Sequence, residues 1–384
     1  LDRVKQFAQR DKKSGVVLES AECGVEIVLG EGGRAVEPGF RWGPAYRRAK
    51  YRVTGVVPDG WQGLEVGLAA NKPNALPADG WPVEETVEGL IYQDGVVVGA
   101  LDWAHPYHRV SDKCPGEGRI VLEIETYARN LETTVHVREK PRTPEPETVR
   151  PFYLVAVDRD LVQLYYDVHF AQKLVEALDE NGPHRAIVLR ALNDVCNLFS
   201  QGSRKSVAAC RRGLKATLES LADEAAHTVT ALGHAHLDTA WLWPLDVTRL
   251  KMAHTTALQL NLIERFPEHV FVHSQASQYE WLEHDHPGLF ARVKAAVAKG
   301  AWEPVGSMWV EADCNLAGGE SLVRQFLYGR RYFQEKFGVE TRDMWLPDVF
   351  GYSAAVPQIL AKFGIQAFLT QKLSWNQFNK IPHN

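Results

Sequence analysis

From Tyr51 to about Ala128, apolar and polar residues alternate one for one. The runs "YRV", "LEVGL" and "RIVLEIETY" put every second side chain on one face, the pattern of half-buried strands. In "GLIYQDGVVVGAL" the pair Asp94-Gly95 separates two such runs and predicts a hairpin with a two-residue turn. Gly and Pro punctuate the rest ("VPDGWQG", "KPNALPADGWP"), so the pattern predicts an N-terminal β-sandwich over residues 1–140. Trp61 and Trp81 read as structural aromatics of that sandwich, with stacking on a sugar as the alternative.

The segment "EKPRTPEPETVR", Glu139 to Arg150, has three prolines in six residues and predicts a linker. Beyond it the period becomes helical. Leu161, Leu164, Val168, Val175 and Leu178 share one helix face, which Asn181-Gly182-Pro183 ends, and one or two further helices follow through "RAIVLRALNDVCNLF" and "SVAACRRGLKATLESLADEA". Residues 141–226 are therefore expected to be linker and helical connector, with Arg211-Arg212 on a solvated helix face. From His227 onward, short strand-like runs ("TVTALGH", "FVHSQ", "WEPVGS", "DMWLPD", "AFLTQK") alternate with amphipathic helices closed by Gly300, Gly338 and Gly364. Strand–helix–strand repetition of this kind predicts an α/β fold with a mostly parallel sheet over 227–384, as the third part of a multi-domain chain.

Composition narrows the partners. A net charge of −5 with no long basic run gives no reason to expect nucleic acid or an anionic membrane as partner. No apolar signal-peptide core opens the chain, and no segment has 18 uncharged apolar residues. The five cysteines (Cys23, Cys114, Cys196, Cys210, Cys314) are scattered and never in a C-x-x-C pair; they read as reduced thiols, and the expected compartment is the cytoplasm.

Chemistry-bearing residues collect where a parallel α/β fold holds its ligands, at the carboxyl ends of strands. In order these ends carry His234, His236 and Asp238; Ser274 and Gln275; Glu311 and Asp313; Asp348; and Gln371 with Lys372. While the chain stays extended, His234, His236 and Asp238 project to one side, so any two can ligate a metal while the third orients a ligand or touches substrate. Imidazole with carboxylate suits a borderline ion such as Zn²⁺, and Asp348 would supply a third ligand. The alternative is a buried polar network without metal. Asp348 sits in "WLPDVFGYS", a tight strand-to-helix turn, where an Asp also serves as a helix N-cap. Beside a cation it would stay ionised, as an attacking carboxylate must in a covalent glycosidase step. Trp241, Trp243, Trp309, Trp345 and Trp375 lie near the same ends, and Trp241, three residues past Asp238, is the best candidate for a wall under a sugar.

Five stretches together carry a likeness: "GHAHLDTAWLWP", "EPVGSMWVEADCNL", "GGESLVRQFLYGRRYF", "WLPDVFGYSAAVPQIL" and "FLTQKLSWNQFN". They resemble glycoside hydrolase family 38, the class II α-mannosidases, most closely the cytosolic and vacuolar branch and its bacterial relatives. The likeness is dense from His227 to Asn384 and weaker around "GLIYQDG". The resemblance implies an incomplete seven-stranded β/α barrel and a retaining, exo-acting enzyme that removes terminal α-mannose from oligosaccharides with a divalent metal, Zn²⁺ or Co²⁺. It implies that His236, Asp238 and Asp348 ligate the metal, that Asp348 is also the nucleophile, that Trp241, Phe350 and Lys372 bind substrate, and that His234 stands behind the ligands. Lys372 falls where a relative has arginine, a point charge in place of a planar fork. Thr239-Ala240 stands where some relatives have Pro-Gly, as in the cytosolic-type branch. A fourth metal ligand and an acid/base aspartate in a "GDGGGG"-like segment are expected beyond residue 384, with His383 no substitute, so the chain resembles an N-terminal portion expected to be inactive alone. Assembly as a homo-oligomer is left open.

Two alternatives stand beside this reading. A metal-dependent amidohydrolase would also open with H-x-H, but it needs further metal histidines, for which His254 and His273 are poor candidates. A non-catalytic carbohydrate-binding fragment would bind saccharide without metal.

Overall fold

The computed structural model describes residues 17–29, 32–70, 87–102, 104–128, 147–200, 203–222, 227–375 and 377–378. Trp81, the prolines of the expected linker and His383 lie outside them.

Twelve described strands make up the N-terminal part: β1 (Val17–Glu22), β2 (Gly24–Val28), β3 (Gly33–Val36), β4 (Arg41–Trp42), β5 (Arg48–Val57), β6 (Glu65–Ala70), β7 (Gly89–Gln93), β8 (Val96–Leu101), β9 (Tyr107–Ser111), β10 (Gly118–Tyr127), β11 (Glu147–Thr148) and β12 (Phe152–Val157). Their antiparallel pairing gives a six-stranded sheet, β3-β2-β5-β10-β7-β8, and a four-stranded sheet, β1-β12-β6-β9, with β4 and β11 as a short pair. Strict alternation in β5 aims Tyr51 and Val53 inward, where with Val25, Ile27, Leu122 and Ile124 they meet Leu68, Ala70, Leu154 and Ala156 of the facing sheet. Trp61, 1% exposed, is part of this core. Two strands fall outside the expected limits, β11, which pairs with β4, and β12. β12 lies in the stretch read as linker and connector, yet it pairs with both β1 and β6, so the sandwich runs past residue 140. The prolines before it masked a six-residue apolar run, "FYLVAV".

The Asp94-Gly95 hairpin forms as the spacing predicts. Gln93 pairs with Val96, and both turn residues have positive φ, 51° and 78°. Both of its faces are covered. Ile91 and Leu101 enter the sandwich core, whereas Leu90 and Ala100 enter a second core shared with the α/β part.

Three helices follow: α1 (Arg159–Ala177), α2 (Pro183–Leu198) and α3 (Arg204–Ser220). Leu164, Val168 and Val175 pack against Val188, Leu192 and Val195 and against Val207, Cys210 and Leu214. Asp158 caps α1 by accepting from the N–H groups of Asp160 and Leu161. Arg211 departs from the solvated face expected of it: it is half-buried and reaches back to Asp167 at 3.0 Å and Asp160 at 3.1 Å, tying α3 to α1.

The last part alternates β13 (Gly233–His234), α4 (Leu245–Arg265), β14 (Phe271–His273), α5 (Ala276–Asp285), α6 (Pro287–Ala298), β15 (Trp302–Pro304), α7 (Gly319–Phe337), β16 (Asp343–Leu346), α8 (Val356–Lys362), β17 (Ala367–Thr370) and a 3₁₀ turn at Lys372–Trp375. Helix α5 was not foreseen; its "ASQYEWLEHD" has no clean apolar stripe. The parallel pairing comes in two pieces, β13-β14-β15 and β16-β17. Side chains bridge the seam between them: Asp343 Oδ2 accepts from the Gly306 N–H at 2.8 Å, and Ser307 Oγ donates to Thr341 Oγ1 at 2.7 Å. Helix α7 backs this seam so closely that a Cβ on Gly329 would lie 2.5 Å from the Ser307 carbonyl oxygen, which is why a helix interior carries glycine here. No helix among the described residues is long and apolar enough to cross a membrane.

Burial raises the Asp343 pKa to about 6 from 3.8, against the pull of the Gly306 N–H. A folded-state value above the unfolded one means that the protonated form is favoured, so stability is lost as pH rises from about 4 through 6. Asp343→Asn keeps the acceptor and removes the charge. Urea unfolding is expected to show the variant about 1–2 kcal/mol more stable above pH 6 and equal to wild type at pH 3.5; equal stability at both pH values would contradict this.

Candidate metal centre and active site

The first strand end turns sharply. β13 stops at His234, and the chain leaves the extended form before Thr239 and Ala240, the latter at φ 63°. Of the three polar residues before the bend, two meet a third from another strand end. His236 Nε2 lies 3.4 Å from Asp238 Oδ1 and 3.6 Å from Asp348 Oδ2, and the three donor atoms all lie within 4.8 Å of one another. His234 does not join them. Its Nε2 accepts the Trp345 indole N–H at 3.1 Å, and burial, aided by His236 nearby, lowers its pKa to about 4, so it is neutral at pH 7.

His236 sits in surroundings built for positive charge. Burial opposes charging its ring, but Asp238 and Glu311 outweigh that and push its pKa up to about 10. Glu311 is almost fully buried; its Oε2 approaches His236 Nδ1 to 2.7 Å without meeting hydrogen-bond geometry, and its Oε1 accepts from Ser274 Oγ at 2.5 Å. A carboxylate behind a histidine is the arrangement that fixes a ligating tautomer, with Nδ1 protonated and Nε2 left to bind. The donor set also fits a metal in its spacing. For ligand bonds of about 2.1 Å, the edges of a tetrahedron are about 3.4 Å, against the 3.4 and 3.6 Å measured.

Asp348 has no capping role. The residue at the N-cap of α8 is Ala355, and the Asp348 carboxylate turns instead to His236 on one oxygen and to Lys372 Nζ, 2.6 Å away, on the other. Lys372 is 12% exposed because its ammonium lies over the Trp375 ring at 3.7 Å and the Phe350 ring at 4.5 Å. The turn that carries Asp348 is pinned by Tyr352, whose hydroxyl donates to the carbonyls of Leu346 and Val349 at 3.1 and 3.0 Å. Phe350 and Trp375, against Lys372, are 77% and 64% exposed, and Trp241, three residues past Asp238 in the chain, is 62% exposed. Trp241 meets Trp243 edge to face at 5.5 Å.

Of the remaining strand-end residues, Gln275 is left-handed at φ 65° and ties three segments: it donates to the Leu237 carbonyl and accepts from Thr239 Oγ1 and the Glu311 N–H. Asp313 caps the turn at Asn315 and Leu316 and does not join the centre. Trp309 and Trp345 pack on Tyr332 and His234. The histidines an amidohydrolase site would need point elsewhere: His273 is sealed against Gln278, and His254 is buried beside Glu88.

Sequence reasoning assigned no role to two residues that shape the site. Glu311 had a signal, being an acid at a strand end inside a quoted motif. Thr248 had none, one threonine among several on a long helix. Fully buried, its hydroxyl accepts from the Ala240 N–H and the Trp243 indole, each at 3.0 Å, and donates to the Asp238 carbonyl at 3.0 Å. Thr248→Val leaves those groups unpaired and is expected to cost about 2–3 kcal/mol in urea unfolding, with Thr248→Ser recovering most of it. A Val variant as stable as wild type would show that the hydroxyl organises nothing.

Residues 226–384 match the glycosyl hydrolases family 38 N-terminal domain. Alpha-mannosidase 2C1 of Homo sapiens is 33% identical over 360 residues, 91% of this chain and 33% of its own length. Alpha-mannosidase G of Dictyostelium discoideum is 29% identical over 357 residues, 90% of this chain and 31% of its own. An alpha-mannosidase of Saccharomyces cerevisiae is 39% identical over 256 residues, 62% of this chain and 24% of its own. The chain spans about a third of the length of the first two of these relatives.

Proposed function

We propose that this chain, a member of glycosyl hydrolase family 38 through residues 226–384, contributes the nucleophile and metal ligands of a retaining exo-α-mannosidase acting on terminal α-mannose of oligosaccharides. The observation that carries the reading is the meeting of His236, Asp238 and Asp348, with Lys372 on the second Asp348 oxygen. The two parallel pieces would be arcs of the seven-stranded barrel. The five cysteines are free thiols, consistent with a cytoplasmic enzyme.

In this reading His236 Nε2, Asp238 and Asp348 would hold Zn²⁺ or Co²⁺, with Glu311 fixing the His236 tautomer and the neutral His234 standing behind. When bound, the ion would supply Lewis-acid polarisation of the sugar's oxygens. Trp241 and Phe350 stack on the C–H faces of the ring and exclude water. Asp348 attacks C1 with one carboxylate oxygen, and the bond from C1 to the leaving oxygen breaks as that oxygen takes a proton from a carboxylic acid. Water, deprotonated by the same acid's conjugate base, then cleaves the mannosyl ester with a second inversion. Lys372 holds the Asp348 carboxylate in place through their ion pair.

Retaining geometry puts the acid about 5 Å from the nucleophile. Among the described residues, the carboxylates in contact with His236 besides Asp348 are Asp238 and Glu311, and the reading commits both to holding His236 and the metal. The 384-residue chain alone is accordingly expected to hydrolyse no aryl α-mannoside; measurable turnover by the pure chain would mean that the acid is present within it. In the active, full-length enzyme, Asp348→Asn is expected to cut turnover to below about a thousandth of wild type. Titration with Co²⁺ checks the ligand set without activity: visible absorption should develop with wild type and be lost with His236→Ala. Near-normal turnover of the Asn variant, or cobalt binding indifferent to His236, would refute the assignment. Saccharide binding untouched by chelator would favour the carbohydrate-binding alternative.

A further inference from the structure

The loop 239–243, which carries Trp241, is held from two sides. From the α/β side Thr248 ties the Ala240 N–H and the Trp243 indole, and Thr239 Oγ1 donates to Gln275. From the other side it meets the β-sandwich. Tyr46 sends its hydroxyl to the Leu242 carbonyl at 2.6 Å, midway between the two tryptophans. Tyr46 and Trp243 flank a small separate core of Tyr127, Val247 and Leu250.

A second line of contacts starts at Glu88, immediately before β7. Glu88 accepts from Lys251 Nζ at 2.6 Å and from the Tyr127 hydroxyl at 2.8 Å. The same Lys251 ammonium lies over the Trp243 ring at 4.8 Å, and Trp243 in turn meets Trp241 at 90°. Burial would raise the Glu88 carboxyl, but His254 and Lys251 beside it hold it well below the usual carboxylate range. An ion pair this enclosed gains little over an apolar pair of the same size, because desolvation offsets the attraction. What it does supply is direction, since it fixes where the ammonium stands over the indole face. The backbone is strained at both ends of the contact: Tyr46 and Ala240 take left-handed φ values of 66° and 63°, which non-glycine residues adopt only when their surroundings compel it.

We propose that Tyr46 and Glu88, both in the sandwich, are positioning residues for Trp241, setting from a separate domain the tilt of the wall under the sugar. The inference rests on the reading of Trp241 as that wall. Half-exposed and touching its own loop edge-on, Trp241 is oriented by what stands behind Leu242 and Trp243, and both of those lean on the sandwich.

Tyr46→Phe and Glu88→Gln test this in two ways. In the full chain, hydrogen exchange of the peptide covering 239–243 is expected to quicken about threefold or more, with the 252–262 stretch of α4 as protected as before. In the active enzyme, KM for an aryl α-mannoside should rise about three- to tenfold, with kcat within about a factor of two and cobalt affinity unchanged. Should Glu88→Gln not fold, Lys251→Arg and Lys251→Met serve instead. Arg keeps the cation over the ring and should preserve both readouts, and Met should lose both. Wild-type exchange and KM, loosening that spreads equally through α4, or a fall in kcat at constant KM would each overturn the inference. The exchange measurement needs no activity, so it fails or holds separately from the mannosidase reading, which Asp348→Asn tests.

Discussion

Helix α4 has to bury itself on two sides, and the rest of the structure is arranged around that demand. Its buried residues, from Val247 and Thr248 through Leu250, Met252, Ala253 and His254 to Thr256, Ala257 and Leu260, run round the helix instead of along one stripe. It packs on both strands of the hairpin and on α5 and α6, and its buried residues share one core with Leu90, Ala100, Phe271, Tyr279 and Trp302. Apolar area on both sides must leave water together, at roughly 25 cal/mol per Å², which couples the sandwich to the α/β part through one helix. Asn261 on that helix also bonds the Val98 carbonyl at 2.9 Å, so the hairpin is held by direction as well as by burial.

The helix transmits this rigidity to the chemistry. Thr248 lies in its first turns and gathers the Asp238 carbonyl, the Ala240 N–H and the Trp243 indole on one hydroxyl. A hydroxyl that satisfies three groups in a fully buried place has one acceptable position, and so therefore does the loop carrying Asp238 and the aromatic Trp241. Charge constrains the opposite wall. His236, Asp238, Glu311, Asp348 and Lys372 form a cluster in which carboxylates outnumber cations, with Glu311 almost out of solvent. Such a cluster is costly unless a cation balances it, and the spacing of the donors suits a divalent one.

Much of this was legible in the chain. Alternation at period two located the sandwich, and Asp94-Gly95 its hairpin, because both are local consequences of backbone sterics and single-face burial. The strand-end polar residues were legible because in a parallel fold the positions available to ligands are few. Other elements were not. Strand β12 was obscured by the prolines before it, since a proline-rich entry says where a strand cannot begin but nothing about a partner more than eighty residues upstream. Helix α5 lacked a stripe because it is covered by neighbours on several sides, so burial there follows packing and not period. Arg211 looked solvent-facing because its partners, Asp160 and Asp167, are on another helix.

The sequence by itself determined which residue types could do chemistry, the two periodicities and the order of the elements, all properties that depend on neighbours within a few positions. It also carried the motifs that mark the family. Only the tertiary structure decided that His236 and not His234 stands with the two aspartates, that Glu311 backs it, and that Tyr46 of the β-rich part bonds the Leu242 carbonyl of the aromatic loop. Each of these outcomes turns on a packing contact between segments distant along the chain. Pairings of that kind are set by the simultaneous burial of many side chains, a global condition that no local window of residues contains.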